Sequence, residues 1–167
     1  MFEGKIKEPY ASLLNKLLHM AIEKLGDNLI SLVVFGSTAR GEAKKDSDLD
    51  ILIIARELPK RRLRRQDLFM EIEEGLEHEL EELRKLGYNI DFSPILKTVD
   101  EARKPSPLYL DMIEDAVILF DREDFFRGVL EHMRSRLEEL GAERVWVGKK
   151  WYWRLKRDYR FGEVIEI

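Results

Sequence analysis

The stretch Leu29-Ile30-Ser31-Leu32-Val33-Val34-Phe35-Gly36-Ser37-Thr38-Ala39-Arg40-Gly41-Glu42-Ala43-Lys44-Lys45-Asp46-Ser47-Asp48-Leu49-Asp50-Ile51-Leu52-Ile53-Ile54-Ala55 is two apolar runs joined by a polar bend. Each run is short, rich in β-branched residues and bounded by turn formers, which predicts two buried strands. The first ends at Gly36-Ser37, and the second opens at Asp48-Leu49-Asp50. A glycine straight after a buried strand lets the backbone approach a bulky anion, because no Cβ stands in the way. The amides that follow, with the Ser37 hydroxyl, suit phosphate oxygens. Asp48 and Asp50 are two apart, so on a strand their carboxylates share a face, about 6.5–7 Å apart along it. Two carboxylates beside bound phosphate are the hard oxygen ligands that Mg²⁺ takes, with water and phosphate completing its shell.

Working outward, Leu13, Leu14, Leu17, Leu18, Ala21, Ile22 and Leu25 recur at helical spacing between Pro9 and Gly26. Beyond the second strand, Leu63, Leu68, Ile72, Leu76, Leu80 and Leu83 predict one long helix, from Lys60 to Leu86, closed by Gly87. Tyr88 to Ile95 reads as a third strand, stopped by Pro94 or soon after, with Asp91 its only acid. A crossover helix between the two strands makes them parallel and starts both at one edge. That topology puts Asp91 beside Asp48 and Asp50, as the third carboxylate of a two-metal site.

Further along, Thr98-Val99-Asp100-Glu101 has the form of a capping box. Ser106-Pro107 opens a helix to about Glu114, and Ala116 to Phe120 is a short strand. Asp121 then caps a helix with Phe125, Val129, Met133, Leu137 and Leu140 on its inner face, ending at Gly141. Arg144 to Ile167 has β-type residues around Gly148 and suits a hairpin. The fold class is therefore α/β of the α+β kind, a small mixed sheet flanked by helices. Residues 1–121 form the domain, and residues 122–167 are a C-terminal helix and a basic, aromatic tail packed on it or extending it.

Composition narrows the function classes. The chain has 167 residues, room for one domain with a core. Apolar residues are 44% and charged residues 37%, with a net charge of −4, which argues against a surface wholly given to nucleic acid. No run of about eighteen apolar residues predicts a membrane span. The opening Met1-Phe2-Glu3-Gly4-Lys5 lacks the apolar core of a signal peptide, so a cytoplasmic protein is expected. The absence of cysteine excludes disulfides, thiolate metal sites and a cysteine nucleophile. Gln66 is the only glutamine, and Asn15, Asn28 and Asn89 are the only asparagines, a composition that fits a heat-adapted protein.

Three other features carry less. His78-Glu79-Leu80-Glu81-Glu82 lacks the second histidine of a zinc-protease helix, since Glu82 stands in its place. The long helix starts with Lys60, Arg61, Arg62, Arg64 and Arg65 and continues with acids, an order that opposes the helix dipole. Its acidic half falls nearer the aspartates, which disfavours a polynucleotide substrate. The tail interleaves Trp146, Trp151, Tyr152 and Trp153 with Lys149, Lys150, Arg154, Lys156, Arg157 and Arg160. Such a surface suits nucleic acid or packing on the domain or on a second copy, and packing or assembly is favoured.

Gly36-Ser37, ten residues, Asp48-x-Asp50, with Asp91 downstream, resembles the DNA polymerase β-like nucleotidyltransferase superfamily. Within it the pattern is similar to the minimal nucleotidyltransferases that work beside HEPN-domain toxins. The resemblance covers about Pro9 to Phe120. It implies a polymerase β-like fold in which Gly36 and Ser37 bind the triphosphate of ATP, with Arg40 assisting. It further implies that Asp48 and Asp50 hold two Mg²⁺ ions. Asp91 would bind the catalytic ion and help deprotonate the attacking hydroxyl. The implied reaction moves AMP to a tyrosine of a HEPN toxin partner. A non-catalytic toxin-binding or RNA-binding module stays open as an alternative, as does transfer to a small molecule or an RNA end.

Overall fold

Helix α1, Tyr10–Leu25, turns Leu13, Leu14, Leu17, Leu18 and Ala21 to one buried face, as their spacing requires. The computed structural model in which it is seen describes residues 5–167; the N-terminal stretch read above for a signal peptide lies, up to Gly4, outside the described residues. Strand β1, Leu29–Phe35, is buried along its whole length and leads into a single turn of helix, α2, Gly36–Ala39. Strand β2, Leu49–Ala55, follows, then α3, Arg62–Glu74, and α4, Glu77–Lys85. Strand β3 is Phe92–Thr98, and α5 is Val99–Arg103. A 3-10 turn, Pro107–Asp111, runs into α6, Met112–Asp115, and then into β4, Val117–Asp121. Helix α7, Phe125–Leu140, leads to a two-stranded hairpin of β5, Glu143–Val147, and β6, Lys150–Arg154.

The four-stranded sheet has the order β3-β2-β1-β4. β1 is antiparallel to both neighbours, while β2 and β3 are parallel. The expected mixed sheet flanked by helices is the one observed. One layer, with α1, α3 and α4, packs on Leu32, Val34, Leu49, Ile51 and Ile53. The other, with α5, α6 and α7, packs on Ile30, Val33, Leu52 and Ile54. Cover on both faces explains why β1 and β2 read as unbroken apolar runs instead of alternating ones. Ser31, fully buried in β1, donates its hydroxyl to Asp121 Oδ1 at 2.6 Å, so the strand carries a satisfied polar group. The Asp121 carboxylate also accepts the Phe126 amide on Oδ1 and the Arg127 amide on Oδ2. It thus steadies the start of α7 from across the turn Arg122–Asp124, although the cap position itself is Asp124 and not the expected Asp121.

Two further expectations are corrected. The long helix is two helices, broken where the amides of Gly75 and Leu76 turn back to the carbonyls of Ile72 and Glu73. Ile72, Leu76 and Leu80 stay buried on the same face across the break, so the apolar spacing runs through it undisturbed. The split removes half of the dipole conflict: α4 has Glu77 and Glu79 in its first turn and Arg84 and Lys85 in its last. The third strand begins at Phe92, later than expected, and passes through Pro94 to Thr98.

Pro94 is tolerated because β3 is an edge strand. The parallel ladder opens with the Leu49 amide donating to the Asp91 carbonyl at 2.8 Å. Alternation then turns Ser93, Ile95 and Lys97 toward β2, and Phe92, Pro94 and Leu96 toward the free edge. The amide that proline lacks would have pointed outward. The outward carbonyl of Leu96 is covered by Arg65, whose Nη1 donates to it at 3.2 Å. Arg65 also grips Glu101 with both terminal nitrogens, at 2.9 and 2.8 Å. Glu101 in turn closes the capping box with Thr98 at the start of α5.

Candidate active site

The antiparallel register pairs Phe35 with Asp50, which brings the turn after β1 to the opening of β2. Gly36 has φ +72°, and a Cβ placed there would lie 2.1 Å from Asp50 Oδ2. The glycine expected to clear space for an anion therefore first clears space for this carboxylate. α2 is locked by the Arg40 amide donating to the Gly36 carbonyl at 3.2 Å and the Glu42 amide to the Ser37 carbonyl at 2.9 Å. Ser37 is half-buried at the head of that turn. Thr38 beside it is buried, and its hydroxyl has no hydrogen-bond partner among the described residues.

Asp50 is half-buried and Asp48 exposed. Burial pushes the Asp50 carboxyl above its ordinary range, Asp48 pushes it further the same way, and Arg40 opposes both. A carboxylate that is desolvated beside a like charge is electrostatically unsatisfied, and a divalent cation would relieve it. The donor set, two hard carboxylates with an exposed partner, fits Mg²⁺. Arg40 lies on the same side of the site, its Nε held to Glu42 at 3.2 Å.

Asp91 sits one residue ahead of β3, not within it. Because Leu49 stands opposite Phe92, Asp48 and Asp91 occupy matching positions where the two parallel strands begin. The topology expected to carry Asp91 to this edge is thus present in the backbone. The structure brings together Gly36, Arg40, Asp48 and Asp50. The Asp91 carboxylate is exposed and its charge falls on Glu73: burial raises the Glu73 carboxyl, and Asp91 raises it further. Among the described residues no three histidine, cysteine or acidic side chains converge as a ready-made metal cage.

Two acids at the site were not found from sequence. Glu73, near the end of α3, meets Asp91 because α3 runs back toward the edge where β2 and β3 begin. Asp111 lies at the end of the 3-10 turn, where burial raises its carboxyl while Arg40 and Arg144 lower it and Asp115 adds to the rise. Neither has a local signature. In a chain with 33 acidic residues, only the tertiary meeting distinguishes them. The basic start of α3 lies at the far end of the sheet, where Arg65 meets Leu96, as expected.

Residues 15–119 match the family described as the nucleotidyltransferase domain. A putative protein adenylyltransferase of Methanocaldococcus jannaschii is 34% identical over 142 residues, 84% of this chain and 91% of that protein. Among solved structures, a mutant of the toxin–antitoxin pair MntA–HpeT aligns over 76% of this chain and 91% of its own, with 15% identity and a TM-score of 0.48. A toxin–antitoxin with AMP-PNP aligns over the same shares with 17% identity and a TM-score of 0.45. Among the described residues no helix is long and apolar enough to cross a membrane.

Proposed function

The chain belongs to the nucleotidyltransferase domain family, and from that premise we propose that it transfers AMP from ATP to a protein hydroxyl, a tyrosine of a HEPN-type toxin. The observation that carries the reading is the lodging of the Asp50 carboxylate against Gly36, beside Asp48 and Arg40, where β1 turns. That the 34% identical relative is named a protein adenylyltransferase supports AMP as the group moved and a protein as its acceptor.

In this reading Gly36 and Ser37 hold the triphosphate and Arg40 offsets its charge. Asp48 and Asp50, with Asp91 closing from the start of β3, hold Mg²⁺, which supplies charge stabilisation at the phosphoryl oxygens. The acceptor oxygen attacks the α-phosphorus, one P–O bond forms, and the bond to the departing pyrophosphate breaks. Asp91 takes the proton of the attacking hydroxyl. Glu73 beside Asp91, with Glu74 and Glu77 following it, makes this approach acidic, which suits a protein acceptor better than a polynucleotide. The near-absence of Asn and Gln and the lack of Cys fit a cytoplasmic protein of a heat-adapted cell.

The test incubates the chain with Mg²⁺, α-labelled ATP and a HEPN-domain partner, beside the Asp48→Asn/Asp50→Asn double variant. Label on a partner tyrosine, lost in the double variant, is the expected outcome. Transfer no greater than that of the double variant overturns the reading for that partner.

A further inference from the structure

The hairpin β5–β6 lies beyond the 15–119 match, yet it is rooted on α6, which packs against α2 at the candidate site. β4 starts with Val117 opposite Val34 on β1. Past the ends of these strands the ladder stops, and α6, which closes at Asp115, packs against α2, which opens at Gly36, on the flank of β1 opposite β2. Asp115 is the anchor of the hairpin: Arg144 Nη2 bonds its Oδ2 at 2.9 Å, with both side chains more than four-fifths buried. Trp153, across from Arg144, donates its indole N–H to the Leu110 carbonyl at 2.9 Å and packs on the apolar layer beneath.

Opposed residues of an antiparallel pair share a face, so Trp146 and Trp151 extend the face that carries Arg144 and Trp153. Arg144 lies against both rings, 4.9 Å from the centroid of Trp146 and 4.0 Å from that of Trp151. Its Nε is buried with no hydrogen-bond partner among the described residues. The docked half of this face, Arg144 and Trp153, is partly buried, while Trp146 remains 54% exposed. The charges of Arg40 and Arg144 both reach Asp111, which places the hairpin root and the turn after β1 around one acid.

We infer that Trp146 and Trp151, backed by the Asp115-paired guanidinium of Arg144, form an aromatic wall next to α2 on which the base of the donor nucleotide stacks. The inference rests on the nucleotidyl-transfer reading above. The occupant follows from continuity: the turn at Gly36-Ser37 takes the phosphates, and the neighbouring wall offers an indole face to the planar group attached to them. Arg144 is a positioning residue, fixing the two rings through Asp115, and the exposed indole of Trp146 is the contact surface.

The test compares ATP with inorganic tripolyphosphate, which has no base, by calorimetry on the full chain with Mg²⁺. All three tryptophans lie in this hairpin, so their emission reports on it directly. ATP is expected to bind more tightly than tripolyphosphate and to change the emission. Trp146→Ala should weaken ATP about tenfold, the scale of one stacked base, and leave tripolyphosphate within about twofold. Trp146→Phe, which keeps an aromatic face, should retain most of the ATP affinity. Wild-type ATP affinity in Trp146→Ala overturns the wall while leaving the phosphate site intact. If neither ligand binds the wild-type chain, the nucleotide reading fails and the wall fails with it.

Discussion

Gly36 and Asp50 share one volume: Oδ2 of the aspartate stands 2.1 Å from the point a Cβ at residue 36 would occupy. The pairing of Phe35 with Asp50 fixes this closeness in the sheet, so neither residue can withdraw without loosening β1 from β2. The backbone at Gly36 is also left-handed, a conformation that costs an L-residue about 1–2 kcal/mol.

Gly36→Ala is therefore expected to keep the fold and lose the chemistry. Displacement of the Asp50 carboxylate by about an ångström should lower AMP transfer on the order of 100-fold. Urea unfolding should show a loss of only about 1–2 kcal/mol. Transfer within threefold of the wild type would contradict the assigned role of Asp50.

Gly75 gives the opposite outcome. Its added Cβ would meet Met20 Sδ at 2.4 Å, but that atom is the end of a flexible side chain, and Gly75 has ordinary right-handed φ −67°. Gly75→Ala should leave stability within about 1 kcal/mol of the wild type, since Met20 can swing aside and alanine favours helix. The two glycine variants together separate a joint that tolerates a methyl group from one that does not. Equal losses in both, measured by urea unfolding and transfer, would refute the distinction.

Glu101 yields a pH dependence of defined sign. The Arg65 fork, helped by bonds from Thr98, holds its carboxyl down to about 2, below the ordinary 4.5. A depressed acid stabilises the fold above its unfolded pKa, and that contribution fades as pH falls from about 4.5 toward 2. Glu101→Gln should melt lower than the wild type at neutral pH, by an amount equivalent to about 1 kcal/mol for this partly exposed pair. The gap should close on acidification through that window. A gap that stays constant down to pH 2 would show that the charge of Glu101 does not carry the effect.

Much of the architecture was legible in local patterns. The bounds of β1 and β2 came directly from their apolar runs, and the capping box at Thr98 came from its spacing. The break between α3 and α4 was hidden because Ile72, Leu76 and Leu80 keep helical spacing across it, so burial leaves no mark where the hydrogen bonds change. The extent of β3 was misjudged because a proline usually ends a strand, and only the sheet order shows that Pro94 faces an unpaired edge. At the site, Gly36, Arg40, Asp48 and Asp50 were readable because they cluster within fifteen residues. Glu73 and Asp111 were not, because their place depends on helices returning from far along the chain.

The outer rim of the sheet has a further bearing on how this protein meets others. Along β3 the missing donor at Pro94 and the occupied acceptor at Leu96 interrupt the comb of main-chain groups that an incoming polypeptide would need. A client protein cannot lengthen the sheet on that side, so recognition has to be written in side chains and contours. The same interruption denies a second copy a template for strand-by-strand stacking, a safeguard whose value grows with temperature, when partly opened molecules collide most often.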